Sequence, residues 1–286
     1  MLLFHAPTER IYHWIKQQPS VKEESLTDWM LFELSERSHR LRYYAFTRNE
    51  EKLNGADWEW WVLAQNYAYR FRVQAKKLKS TADNYSSICY SNEKGMQIEL
   101  LLNAAESDGA YPLYMFYSSE EQSVDVVFQH YPCPILIDMI KWCSPCNTGA
   151  FLSPAKLVYS EVFGRPKQRQ NASALLNISL KLSCLDWLLR SRDAHIINDE
   201  VERLLNTLYQ DYYQGEKTFL HNKFRYTYDK DNYHNQKGTI PKWVYYLSAG
   251  KKMQSSLELS DWFENEFQRS LPNVTGVAVI DLREGL

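Results

Sequence analysis

The sequence predicts an α/β fold with a central mixed sheet flanked by helices, and three stretches carry that prediction. Trp58, Trp60 and Val62 alternate with Asp57, Glu59 and Trp61, the period of a strand. Close behind, Tyr69, Phe71, Val73 and Ala75 alternate with Arg70, Arg72, Gln74 and Lys76 in a second strand. Ile98, Leu100, Leu101, Leu102 and Ala104 then suggest a helix from Gln97, which ends at Asp108-Gly109 before the apolar run Tyr111–Tyr117. Strand, helix, strand in that order implies a right-handed crossover between parallel strands.

The remaining elements follow in chain order. Residues 7–18 read as a short helix with Ile11, Trp14 and Ile15 on one side, interrupted by Pro19-Ser20. Ser25, with Asp28 three residues on, reads as the cap of a core helix. That helix is expected to bury Leu26, Trp29, Met30, Phe32 and Leu34 over nearly its whole circumference. Residues 40–47 suit a strand or extended connection, and 81–91 a loop. Val124–Phe128 and Pro134–Ile140 are apolar enough for strand or helix. Ser153-Pro154 predicts a helix start, with Ser as cap and Pro at the first helical position. Residues 173–190 and 198–213 read as helices, 214–240 as polar, aromatic loop, 257–271 as an amphipathic helix and 274–282 as a last strand. No repeat or low-complexity linker divides the chain. The expected organisation is a core over 1–120 and a mainly helical extension over 121–286, packed on the core or completing the same domain.

Composition narrows the function classes. Of 286 residues 44% are hydrophobic, ample for a buried core, whereas a net charge of −2 excludes a wholly basic nucleic-acid coat. Any polyanion must therefore meet local clusters such as Lys76, Lys77, Lys79 or Arg165–Arg169, expected to form one rim beside Asp57. No apolar run is long enough to span a membrane, and the first nineteen residues lack a secretory core. Five cysteines, an odd number, suit a reducing cytoplasm better than a disulfide framework. No phosphate-binding Gly-x-x-x-x-Gly-Lys loop, dinucleotide fingerprint or Gly-x-Ser-x-Gly elbow is present.

Side chains two apart in a strand share a face, so Asp57 joins Glu59, and Gln74 joins Lys76. If the two strands are neighbours, carboxylates, an amide oxygen and an ammonium converge. That set can hold a divalent cation on a phosphate and place a water beside it. The bland reading is the ordinary solvent face of a hairpin. Trp58, Trp60 and Trp61 suit core packing better than a base-stacking platform. A separate constellation, His130-x-x-Cys133 and Cys143-x-x-Cys146, has the internal spacing of a structural Zn2+ site, although buried cysteines serve more often as small apolar residues.

Gly55-Ala56-Asp57 followed by Gln74-Ala75-Lys76 resembles the PD-(D/E)XK nuclease superfamily over roughly residues 20–118. The Gln form is similar to that of Mrr-like restriction endonucleases. The resemblance implies a restriction-endonuclease-like core and Mg2+-dependent (or Mn2+-dependent) phosphodiester hydrolysis of DNA in restriction or anti-phage defence. It makes Glu24, Asp57, Gln74 and Lys76 the catalytic set. Asp57, with Glu24 or Glu59 as the second carboxylate, the Gln74 oxygen and the Ala75 carbonyl become the ligands, since a neutral Gln needs a compensating acid. Glu50 and Glu51 are weaker candidates. Lys76 would orient the attacking water or stabilise charge on the phosphate. A targeting protein or a second copy is the expected partner besides DNA. The rival reading is a catalytically silent member of the same scaffold that binds nucleic acid or a protein.

Overall fold

The structure is a computed structural model. It describes residues 3–45, 56–78, 88–93, 95–122, 134–143, 147–164, 172–189, 194–209, 225–228, 239–249 and 274–283. Helix α1 spans His5–Gln17 and buries Ile11, Tyr12 and Ile15. Its unpaired first amides are satisfied at long range by the Asp186 carboxylate, which accepts from Leu3 N, Phe4 N and His5 N at 2.6–3.0 Å. Helix α2 spans Glu23–Arg37. It starts three residues earlier than the Ser25 cap predicts, after an extended Lys22 whose side chain makes no capping bond. It is also not buried all round: Leu26, Met30, Leu31 and Leu34 face the core, while Phe32 is 50% exposed.

Strands β1 (Leu41–Ala45), β2 (Trp58–Leu63) and β3 (Tyr67–Lys77) follow, then a small hairpin of β4 (Ser91–Asn92) and β5 (Gly95–Met96). Helix α3 (Gln97–Asp108) ends at Gly109, whose φ of 68° is left-handed, the conformation that favours glycine there. Strand β6 is Tyr111–Tyr117, as the pattern predicts. Beyond it come β7 (Ala150–Pro154), β8 (Leu180–Lys181), β9 (Arg225–Thr227) and β10 (Gly276–Asp281), separated mainly by helices.

The described residues form an eight-stranded mixed sheet in the order β1-β10-β2-β3-β6-β7-β8, with β9 added to β3. β2 and β3 are antiparallel neighbours, and β3 and β6 are parallel, joined through α3. The last strand of the chain, β10, lies between β1 and β2, parallel to β2. Its Gly276 is required there, because a Cβ would stand 2.3 Å from the Trp58 ring.

Helices cover both faces. Trp58, Trp60, Phe71, Val73, Ala75 and Met115 pack with residues of α1, α2 and the helix Ala194–Tyr209. Trp61, Tyr114, Phe116, Val277 and Val279 pack with residues of α3 and the helices Ala155–Gly164 and Lys242–Ala249. All three tryptophans of β2 are buried core.

Three expectations in the C-terminal half need correction. Ser153 and Pro154 end a strand, and the helix begins at Ala155. The stretch 173–190 is broken into a helix (Ala172–Asn177), β8 and two short helical turns. There Ser179 Oγ returns a hydrogen bond to Leu175 O, and Ile178 O accepts from Ser153 Oγ on β7. Finally, the helix Pro134–Cys143 carries Cys143 into a buried disulfide with Cys184, at a Cα–Cα distance of 5.6 Å. That pairing removes Cys143 from the expected zinc set and gives the chain a disulfide where none was expected. His130, Cys133 and Cys146 lie outside the described residues, as do 124–128, Arg165–Arg169, Lys79, Glu50, Glu51 and 257–271.

Candidate functional site

The antiparallel register pairs Trp58 with Val73 and Glu59 with Arg72. Asp57, one step before β2, therefore stands opposite Gln74. Its amide extends the ladder to Val73 O at 2.9 Å, and its carbonyl accepts from Thr275 N and Oγ1, each at 2.6 Å. The backbone of Asp57 is thus held on one side by β3 and on the other by the residue just before β10. Its half-buried carboxylate accepts at Oδ2 from Ala75 N at 2.9 Å and from Gln74 Nε2 at 2.5 Å. No hydrogen bond to Oδ1 occurs among the described residues.

Lys76 lies two residues beyond Gln74, on the same sheet face. Its ammonium is 3.6 Å from Glu23 Oε1, and Glu23 Oε2 accepts from Lys77 N at 2.8 Å. Glu23 is the first residue of α2, so the helix delivers a carboxylate to the C-terminal end of β3. Lys77 holds that helix start in place, since its ammonium donates to Val21 O at 2.8 Å and also to Pro19 O. Lys77 is therefore a clamp on the α1–α2 connection and is not available to a basic rim.

Two predicted acids are elsewhere. Glu24, the next position of α2, is exposed; its neighbour Glu23 is the acid that contacts Lys76 and Lys77. Glu59 does share the sheet face with Asp57, but it lies deeper and is fully buried. Its carboxylate accepts from Trp61 Nε1 at 2.7 Å and pairs with Arg70 at 2.8 Å and Arg72 at 3.2 Å. Both of its oxygens are engaged, so it is not a ligand for a cation at Asp57.

Sequence reasoning missed Gln97, whose Nε2 donates to Gln74 Oε1 at 2.8 Å. Nothing in the local pattern of α3, which also carries Glu99 and Asn103, singled it out. The Gln74 oxygen, expected as a ligand, is consequently turned toward Gln97. A half-turn of the amide would bring it to the Asp57 side. Below Gln74, Tyr114 is its register partner on β6 and is fully buried, its hydroxyl without a partner among the described residues.

Burial pushes the Asp57 carboxyl up to about 7, and the charge of Glu23 adds to the rise, while Lys76 and the two hydrogen bonds oppose it. Glu23 is likewise raised, first by burial. Two acids thus face one ammonium where little water solvates them, an arrangement that a cation relieves. The donors are hard oxygens: the Asp57 and Glu23 carboxylates and the Ala75 carbonyl, which accepts from Gln74 Nε2 at 3.0 Å. No cluster of three or more His, Cys, Asp or Glu surrounds one point among the described residues. One or two carboxylates with several retained waters is nonetheless the usual way Mg2+ is bound. The residues fit that ion.

No curated protein and no solved structure matches the chain. A family model matches residues 2–284, nearly the whole sequence, and the chain belongs to that family, a family of unknown function (DUF6615).

Proposed function

We propose that the protein is a divalent-cation-dependent endonuclease that hydrolyses DNA phosphodiesters in restriction or anti-phage defence. The observation that carries this reading is the convergence of Asp57, Gln74 and Lys76 from β2–β3 with Glu23 from α2. Asp57, Glu23 and the Ala75 carbonyl would hold Mg2+ or Mn2+. When bound, such an ion supplies a polarised phosphate oxygen and a water acidic enough to attack at neutral pH. Lys76 then offers a fixed positive charge to the phosphate oxygens as the transition state gains charge. Gln74 and Ala75 N hold the Asp57 carboxylate in one orientation. The segments beyond residue 120 would supply targeting, through substrate, a protein partner or a second copy. A DNA substrate puts the protein in the cytoplasm, and no helix among the described residues is long and apolar enough to cross a membrane.

The silent-scaffold reading is favoured by one observation: Gln74 is neutral and spends its amide N–H on Asp57. Incubating wild type and Asp57→Ala with supercoiled plasmid and with a single strand, each with Mg2+, Mn2+ or EDTA, separates the two. Metal-dependent cleavage lost in Asp57→Ala supports the enzyme. Substrate binding without cleavage under either metal supports the scaffold.

A further inference from the structure

Four large hydrophobic side chains are exposed among the described residues: Phe32, Tyr90, Trp142 and Ile196. Three of them sit on helices: Phe32 in α2, Trp142 in Pro134–Cys143 and Ile196 in Ala194–Tyr209. Tyr90, 52% exposed, is different, because its backbone is tied through Gln97 and Gln74 to Asp57. Its carbonyl accepts from Gln97 N at 2.9 Å, Gln97 Nε2 donates to Gln74 Oε1, and Gln74 Nε2 donates to Asp57. The backbone at Tyr90 is ordered by the β4–β5 hairpin that follows it, in which Ser91 pairs with Met96 and Gly95 adopts a φ of 130°.

A half-exposed aromatic residue whose backbone is anchored beside a phosphodiester site has one evident use in that setting. It presents a π-face to a base, and such stacking is insensitive to which base is present. Bases in an intact duplex already stack on one another, so the ring can take only a base that is unpaired or has left the helix. We infer that Tyr90 is a stacking platform for an unpaired nucleobase beside the scissile phosphate, so that the site acts on single-stranded or frayed DNA. The inference rests on the phosphodiesterase reading above and narrows its substrate.

The test uses the full chain carrying Asp57→Asn, which blocks turnover and lessens repulsion of the phosphates. Fluorescence anisotropy reads the binding of a labelled oligodeoxythymidine strand and of a closed hairpin duplex of similar charge. Added Tyr90→Ala should weaken single-strand binding about 5- to 100-fold. Tyr90→Trp should stay near the parent, and duplex binding should not change. Because no charge is altered, the salt dependence of single-strand binding should keep its slope. Equal single-strand affinity in the parent and Tyr90→Ala overturns the platform while leaving the nuclease reading intact. An equal loss on strand and duplex also overturns it. If the parent binds neither probe and the wild type cleaves neither, the nucleic-acid reading itself fails, and this inference with it.

Discussion

Asp57 and Glu59 are two residues apart on one sheet face, yet the protein treats their carboxylates in opposite ways. Glu59 is wholly buried between the Arg70 and Arg72 guanidiniums with the Trp61 N–H on its remaining side. Asp57 stands at the end of the sheet, half-buried, with another acid nearby and Lys76 as the opposing charge among the described residues. One carboxylate is closed in, with both oxygens engaged. The other, among the described residues, has one ammonium facing two acids and an oxygen that accepts no hydrogen bond. The difference teaches that depth along a strand, and not the face alone, separates an acid locked into the core from one left at the end of the sheet.

The largest expected effect breaks the closed site. Glu59→Ala leaves two buried guanidiniums without their shared anion and should cost about 3–5 kcal/mol. Urea or thermal unfolding should show a loss comparable to a large part of the total stability of a domain. If Glu59→Ala were as stable as wild type, the network would not be the structural half of the comparison.

Asp57→Asn should move stability the other way. The folded carboxyl keeps its proton up to about 7 against an ordinary 3.8, so the folded state binds more protons than the unfolded one between those values. Folding is therefore disfavoured as pH rises through that window. Asparagine can still accept from Ala75 N and Gln74 Nε2, and it never ionises. The variant should gain roughly 1–3 kcal/mol at pH 8 and show little gain near pH 4. Mg2+ should raise the wild-type Tm at pH 8 but not that of the variant. Differential scanning fluorimetry across pH, with and without Mg2+, checks both statements. A Tm that falls at pH 8 would mean that Asp57 is a structural acid like Glu59.

A smaller effect is expected at Lys77. Replacing it by Met removes the bonds to Pro19 O and Val21 O but keeps the stem, at a cost of about 0.5–1.5 kcal/mol. Because those bonds hold the start of α2, Glu23 should lose its position. Cleavage should slow about 10-fold, with substrate affinity nearly kept. Slower cleavage caused entirely by weaker binding would instead make Lys77 the substrate contact that the sequence suggests.

How much of this was legible in the sequence depends on which physical rule each residue obeys. Period-2 alternation and the short connection between the two stretches put Asp57, Gln74 and Lys76 on one face of adjacent strands. The same rule put Glu59 on that face but carried no information on depth. The signal for depth was nevertheless present, in Arg70 and Arg72 on the facing strand. Glu23 and Glu24 could not be told apart, because successive helical residues differ in direction by about 100° and the choice turns on where α2 begins. The Ser25–Asp28 capping pattern placed that start three residues late. β7 and β8 were missed because both are short, and their identity comes from pairing with β6 and with each other. Gln97 enters the site through a tertiary hydrogen bond that no local pattern announces.

The most direct test of the central claim, that Asp57, Lys76 and Glu23 form one cation-dependent hydrolytic site, is a parallel rate measurement. Wild type, Lys76→Ala, Glu23→Gln and Glu24→Gln are incubated with Mg2+ and plasmid and single-stranded substrates, with folding checked by circular dichroism. Lys76→Ala and Glu23→Gln should each lose at least about 100-fold in rate, and Glu24→Gln should match wild type. Loss in Glu24→Gln with full activity in Glu23→Gln, or full activity in Lys76→Ala, would contradict the account.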